Sequence, residues 1–282
     1  MSGVALGLAW LATGTAALGQ TATPIDLTSG GSAQIGGAYF FPGQSSAVAG
    51  SGTFGSVVRI QANGSEQGYN SGSSPVMPDV KNGVNFRFGD FRVPANPGGM
   101  VNGVAYYSFS LDINEGNAPG NNLLSLDKLQ FFVRTSDFSG SGADTANSYA
   151  NLANSATKVY DMDATSDNTL LLNNTLVGGG SSSVDLVMLV PQSLFAAYGG
   201  SATNVFLYYQ MGALGTYSSQ TWTSDGGFEE WAAVSGLTFT IPAVVPEPGT
   251  VGAVGGVAVI FAGHCLAQYR RRRSMAGSVT AE

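Results

Sequence analysis

Apolar and polar positions alternate with a period of two over several short stretches of the chain. From Val104 to Ile113, residues Ala105, Tyr107, Phe109, Leu111 and Ile113 fall on one side and Ser108, Ser110 and Asp112 on the other. That is the signature of a strand with one buried face. Val84, Phe86 and Phe88 set against Asn85 and Arg87 repeat it, as do Leu129, Phe131 and Val133 against Lys128, Gln130 and Arg134, and Leu237, Phe239 and Ile241 against Thr238 and Thr240. Residues 184–190 and 205–211 are apolar on both faces and predict central strands. Only Pro191 to Tyr198 reads as helical, with proline in its first turn. Stretches rich in Gly, Ser, Asn and Asp at 61–83, 136–158 and 177–183 predict rim loops. No repeat of fixed period points to an array. The pattern predicts an all-β body over residues 23–244, a β-sandwich of jelly-roll-like form with room for a sizeable core.

The two ends follow a different pattern. Val4 to Leu18 is apolar and rich in small residues, and the chain turns polar at Gly19 to Ala22. This length suits a signal peptide, residues 1–22, with Ala17 and Gly19, or Ala22, small enough for a signal peptidase. Gly249 to Tyr269 contains no Asp, Glu, Lys or Arg. At ~1.5 Å per residue it makes a helix about as long as the hydrocarbon core is thick. Arg270, Arg271, Arg272 and Arg273 follow directly, which places them on the cytoplasmic side with the tail 274–282, and the body across the membrane. Gly252 and Gly256 form a GxxxG pair, but the glycines of the span do not keep to one face. Ahead of the span, Val245-Pro246-Glu247-Pro248 cannot form regular helix and predicts an extended, accessible linker.

A Val-Pro-Glu-Pro linker, a Gly-rich span and an arginine cluster, in that order over residues 245–273, resemble the PEP-CTERM sorting signal of Gram-negative bacteria. The resemblance implies that an exosortase, an integral membrane cysteine peptidase-transpeptidase, recognises Pro246, Glu247 and Pro248, cleaves there and releases the body to the surface or extracellular matrix. The peptidase then supplies the nucleophile and this chain the substrate peptide. The secretion machinery and signal peptidase are implied as further partners, with matrix exopolysaccharide as a partner of the body.

Composition narrows what the body does. The 282 residues carry a net charge of −7 with one Cys and one His, and both, Cys265 and His264, fall within the span. The body therefore lacks disulfides, Cys/His zinc sites, Ser-His-Asp triads and Cys-His dyads. Setting aside Arg270 to Arg273 and Glu282 leaves 7 basic against 17 acidic side chains, a net −10, which repels nucleic acid. The expectation is a non-enzymatic structural or binding protein. One alternative is a glycan-active enzyme using carboxylates alone, since it needs neither His nor Cys; another is a calcium- or carbohydrate-binding module retained as a single-pass membrane protein.

Four body motifs invite chemistry. Gly50-Ser-Gly52-Thr-Phe-Gly55 matches G-x-G-x-x-G but opens onto the strand-like Ser56 to Ile60, so it reads as a glycine turn and not a dinucleotide site. Asp161, Asp163 and Asp167 are spaced as in calcium loops, although the EF-hand positions after them are wrong. Asp112 and Asp127, with Asn114 and Glu115, are candidates to complete an oxygen-rich calcium site, set against ordinary turn chemistry. In Asp225-Gly-Gly-Phe228-Glu229-Glu230-Trp231, strand geometry puts Glu229 and Glu230 on opposite faces, so they are not a facing glycosidase pair, and Phe228 and Trp231 are expected inside. Tyr106, Tyr107, Tyr208, Tyr209, Trp222 and Trp231 are candidate stacking faces for sugars, set against burial in the core.

Overall fold

The computed structural model describes residues 23–42, 55–91, 100–101, 103–177, 184–198, 200 and 202–234. The leader 1–22, the strand expected at 237–241, the Pro246-Glu247-Pro248 linker, the span 249–269, Arg270 to Arg273 and the tail lie outside the described residues. Among the described residues no helix is long and apolar enough to cross a membrane.

The fold is all-β. In chain order the strands are β1 (Ile25–Asp26), β2 (Ala33–Ile35), β3 (Ala38–Pro42), β4 (Ser56–Ile60), β5 (Asn63–Gly64), β6 (Glu66–Tyr69), β7 (Val80–Gly83), β8 (Met100–Val101) and β9 (Val104–Asp112). There follow β10 (Leu123–Arg134), β11 (Thr157–Asp161), β12 (Leu170–Asn173), β13 (Leu186–Pro191), β14 (Asn204–Met211), β15 (Thr216–Tyr217), β16 (Gln220–Thr221), β17 (Ser224–Asp225) and β18 (Glu229–Ala233). A six-stranded sheet runs β1-β12-β10-β14-β6, with β11 also on β10. An eight-stranded sheet runs β2-β3-β13-β9-β18-β4-β7, with β8 on β9. β15 with β16 and β5 with β17 make two small ribbons.

The two large sheets share one core. Phe109 of β9 and Phe131 of β10 meet with ring centroids 5.0 Å apart, and Tyr209 of β14 meets Trp231 of β18 at 6.3 Å. Phe195, from the 3-10 turn Gln192–Tyr198, inserts among Phe88, Phe91, Tyr107 and Phe131. Aromatic contacts of this kind add about 0.5–1.5 kcal/mol each beyond the area they bury. A second apolar cluster, including Tyr39, Phe41, Tyr106, Val187 and Leu189, occupies the opposite face of the eight-stranded sheet. The predicted central strands are therefore central: β13 lies between β3 and β9, and β14 between β10 and β6.

Where pattern and structure diverge, a polar group inside the protein is usually the reason. On β9 the predicted polar face is also enclosed: Ser108, Ser110 and Asp112 are buried, and Ser108 Oγ donates 2.5 Å to the Val234 carbonyl. The strand predicted over Val84 to Phe88 does not form. The chain instead makes β7 just before it and a 3-10 turn at Phe88–Asp90, where the Asp90 carboxylate accepts the Arg87 N–H at 2.9 Å. The loop predicted at 61–83 contains β5, β6 and β7, and the loop predicted at 136–158 contains a short helix, α1 (Tyr149–Ser155), capped by Ser148, and the start of β11. β6 escapes notice because its residues Glu-Gln-Gly-Tyr carry no apolar alternation. Gly68 belongs there because a Cβ would lie 2.5 Å from Val80 Cγ2 and 2.8 Å from Ile60 Cγ2, where the two sheets close on each other.

Asn70 extends the β6–β14 pairing with its side chain. Fully buried, its Nδ2 donates 2.8 Å to the Val205 carbonyl, and its Oδ1 accepts the Leu207 N–H at 2.7 Å. Asn70→Ala strands two buried backbone groups, so urea unfolding is expected to show a loss of about 2–4 kcal/mol. A loss below about 0.5 kcal/mol would mean that this amide does not hold the sheet edge.

Candidate functional site

Three glutamates from different parts of the fold converge inside the protein. Glu66 opens β6 in the six-stranded sheet, Glu229 opens β18 in the eight-stranded sheet opposite Ile60, and Glu115 lies in the loop after β9. Glu66 and Glu229 have no exposed surface, and Glu115 is 4% exposed. Glu66 Oε2 accepts the Ala62 N–H at 2.7 Å, and Glu115 Oε2 accepts the Asp225 N–H at 2.9 Å. No donor from the described protein reaches either oxygen of Glu229; its polar neighbours are the carboxyls of Glu66 and Glu115. A proton shared between carboxyls satisfies such an arrangement, because ionised carboxylates only accept.

Burial, reinforced by Glu66 and Glu115, holds the Glu229 carboxyl well above the ordinary range. Burial likewise raises Glu66 and pushes Glu115 up to about 8, with Asp225 adding to the second shift. Asp185, 3% exposed and accepting the Ile113 N–H at 2.8 Å, is pushed up to about 9 by burial.

The Glu115 loop also forms one wall of a surface groove of about 570 Å³. Thr28 and Ser29 after β1, Asn117, Pro119, Gly120 and Asn122 ahead of β10, Asn173 and Thr175 at the end of β12, and Ser219 to Thr221 of the β15–β16 hairpin surround it. Asn173 Oδ1 accepts from Asn122 Nδ2 (2.7 Å), Thr175 N (2.9 Å) and Thr175 Oγ1 (2.8 Å), while its Nδ2 donates to the Thr28 carbonyl at 3.3 Å. Buried Asn174 donates to the Glu115 carbonyl and to Asn117 Oδ1. Gly116 N–H in turn donates to Asp225 Oδ2 at 3.0 Å. The groove wall and the interior carboxyls are therefore parts of one hydrogen-bonded loop.

The hairpin on the other wall turns through Ser218 and Ser219, both left-handed at φ 51° and 63°. A two-residue turn of this hand favours Asn-Gly, and serine there is strained. Trp222 anchors the hairpin from below, 2% exposed, with Nε1 donating to the Tyr217 carbonyl at 3.1 Å.

The carboxylates singled out for calcium divide between separate places. Asp161 ends β11 and Asp163 lies in the turn that follows it, near Asp167. Burial alone would raise Asp161, but the Lys158 ammonium and the Asp163 N–H outweigh it and lower it, while burial pushes Asp163 up to about 6. Asp127, on β10, accepts from Ser125 Oγ (2.8 Å) and Ala213 N (2.7 Å). Asp112 ends β9 in the other sheet, beside Asp185. Among the described residues no group of three or more His, Cys, Asp or Glu side chains is arranged to hold a metal ion. Glu229 and Glu230 do point to opposite faces: Glu230 pairs with Arg59 at 2.7 Å, and Arg59 stacks over Phe228. Phe228 is consequently only half-buried, while Trp231 is fully buried.

The candidate sugar-stacking faces are turned inward, as the reading of these residues as core has it. Tyr106, Tyr208, Tyr209, Trp222 and Trp231 are all below 5% exposed, and Tyr107 is wedged among Phe88, Phe91 and Phe195. Sequence reasoning passed over Glu66 and Asp185, which lie in stretches read as a loop and as an apolar strand. Asn122, Asn173 and Gln220 were equally hidden, because nothing in local spacing brings them together.

The raised carboxyls bind protons more tightly in the folded than in the unfolded chain. Their contribution is complete below the unfolded value, 4.5 for Glu115, and is lost as pH rises through about 8. Thermal unfolding is therefore expected to show higher stability at pH 5 than at pH 9, by on the order of a few kcal/mol. Glu229→Gln flattens that dependence; an unchanged slope in the variant would contradict a shared proton. Replacing Ser218-Ser219 by Asn-Gly is expected to stabilise the chain by about 1–2 kcal/mol in urea, and no gain would mean the turn is unstrained.

No family model, curated protein or solved structure matches this chain.

Proposed function

We propose that the chain is an exported β-sandwich of jelly-roll-like form, delivered to the cell surface or extracellular matrix by an exosortase acting at Pro246-Glu247-Pro248. The single observation that carries this reading is the order of three parts: the Val245 to Pro248 linker, the uncharged Gly249 to Tyr269 stretch and Arg270 to Arg273. Residues 1–22 serve as the signal peptide that brings the body into the export route. The charge pattern supports the same topology, since the arginines favour the cytoplasmic side. The role assigned to the body is structural or binding, with matrix exopolysaccharide as its partner.

The interior carboxyls fit this role better than a glycosidase. An acid acting on a glycosidic bond must touch substrate, whereas Glu66, Glu229 and Glu115 are buried. We assign them to the fold and assign no catalytic residue.

Replacing Pro246, Glu247 and Pro248 by alanine in the native host tests the sorting. The expected outcome is a chain retained in the membrane fraction at its unprocessed C-terminal length, seen by immunoblot with an epitope in the body. Processing and surface delivery identical to the unaltered chain would overturn it.

A further inference from the structure

We propose that the groove bounded by Asn122, Asn173 and the Ser218-Ser219 hairpin binds a neutral, hydroxyl-rich polysaccharide. This rests on the reading of the body as a matrix protein and names the surface and the ligand class. Sugar hydroxyls both donate and accept hydrogen bonds, and carboxamide and hydroxyl side chains complement them on both counts. The described lining residues are Asn, Gln, Ser, Thr, Gly, Pro and Leu, without a charged side chain. A uronate or phosphate would find no cation there, and the acidic body repels polyanions from a distance. At about 570 Å³ the groove falls within the usual range for a small-ligand site.

Two further features separate this groove from an ordinary polar surface. Its amides are fixed before any ligand arrives: Asn173 makes four hydrogen bonds to Asn122, Thr175 and Thr28, and Gly120 N–H donates to Asn122 Oδ1 at 3.2 Å. Fixed donors lose less conformational freedom on binding. The facing wall keeps two serines in the left-handed region at the hairpin tip, and strained backbone held by its surroundings concentrates at ligand-binding positions. With Trp222 buried beneath the hairpin, recognition here is by hydrogen bonding and not by ring stacking.

Affinity electrophoresis tests this with the full chain purified in mild detergent. The probes are the neutral and anionic polysaccharide fractions of the producing organism's matrix, separated by anion exchange. The neutral fraction is expected to retard the chain and the anionic fraction to leave it unretarded. Gln220→Ala, at an exposed position, is expected to weaken retardation about tenfold without moving the melting temperature, a loss equivalent to one or two hydrogen bonds. Asn173→Ala is expected to abolish it. Retardation by the anionic fraction alone, no retardation by either, or a folded Gln220→Ala chain retarded as strongly as the unaltered one would overturn the proposal. The assay does not involve processing at Pro246 to Pro248, so a failure of sorting and a failure of binding are read separately.

Discussion

The body closes around a carboxyl group that has nowhere to put a charge. Glu229 begins β18 with its side chain directed between the sheets, fully enclosed, and meets Glu66 from the opposite sheet and Glu115 from the loop after β9. An isolated carboxylate in such a place is strongly disfavoured. A proton held among the three carboxyls turns mutual repulsion into hydrogen bonding and lets the sheets approach. The close approach is visible at Gly68, where a single methyl group would collide with Val80 and Ile60.

The same constraint reaches the surface. Glu115 contributes its carboxylate to the interior and, through its backbone carbonyl, accepts from Asn174 at the groove. Asp225 joins in from β17 by accepting the Gly116 N–H. The loop carrying Asn117 to Asn122 is thus tied at its base to the interior cluster and at its far end to Asn173. Surface loops usually vary in conformation; this one is braced by polar groups at both ends, which suits a wall of a binding surface.

The strands driven by apolar burial were legible in the sequence. β9, β10, β13 and β14 all follow from alternation or from continuous apolar runs, because each buries apolar side chains in the core between the sheets. β6 and β7 were not legible, since β6 is specified by a buried glutamate, an absent side chain at Gly68 and the amide of Asn70 acting as backbone. The aromatic residues illustrate the converse: Tyr208 and Tyr209 are neighbours on β14 and point to opposite faces, yet both are buried, one against Tyr149 of α1 and the other against Trp231, which only the tertiary packing decides. The opposed directions of Glu229 and Glu230 followed from strand geometry, but the partners of Glu229 lie 163 and 114 positions away in the chain, beyond any local pattern. The groove is hidden for the same reason, being assembled from four separated segments of neutral polar residues.

The most direct measurement is the infrared spectrum of the folded chain at pH 7, recorded as the difference between the unaltered protein and Glu229→Gln. A carbonyl stretch of a protonated, solvent-shielded carboxyl group, lost on the substitution, is the predicted result. A difference spectrum containing only ionised carboxylate bands would contradict a proton held between the two sheets.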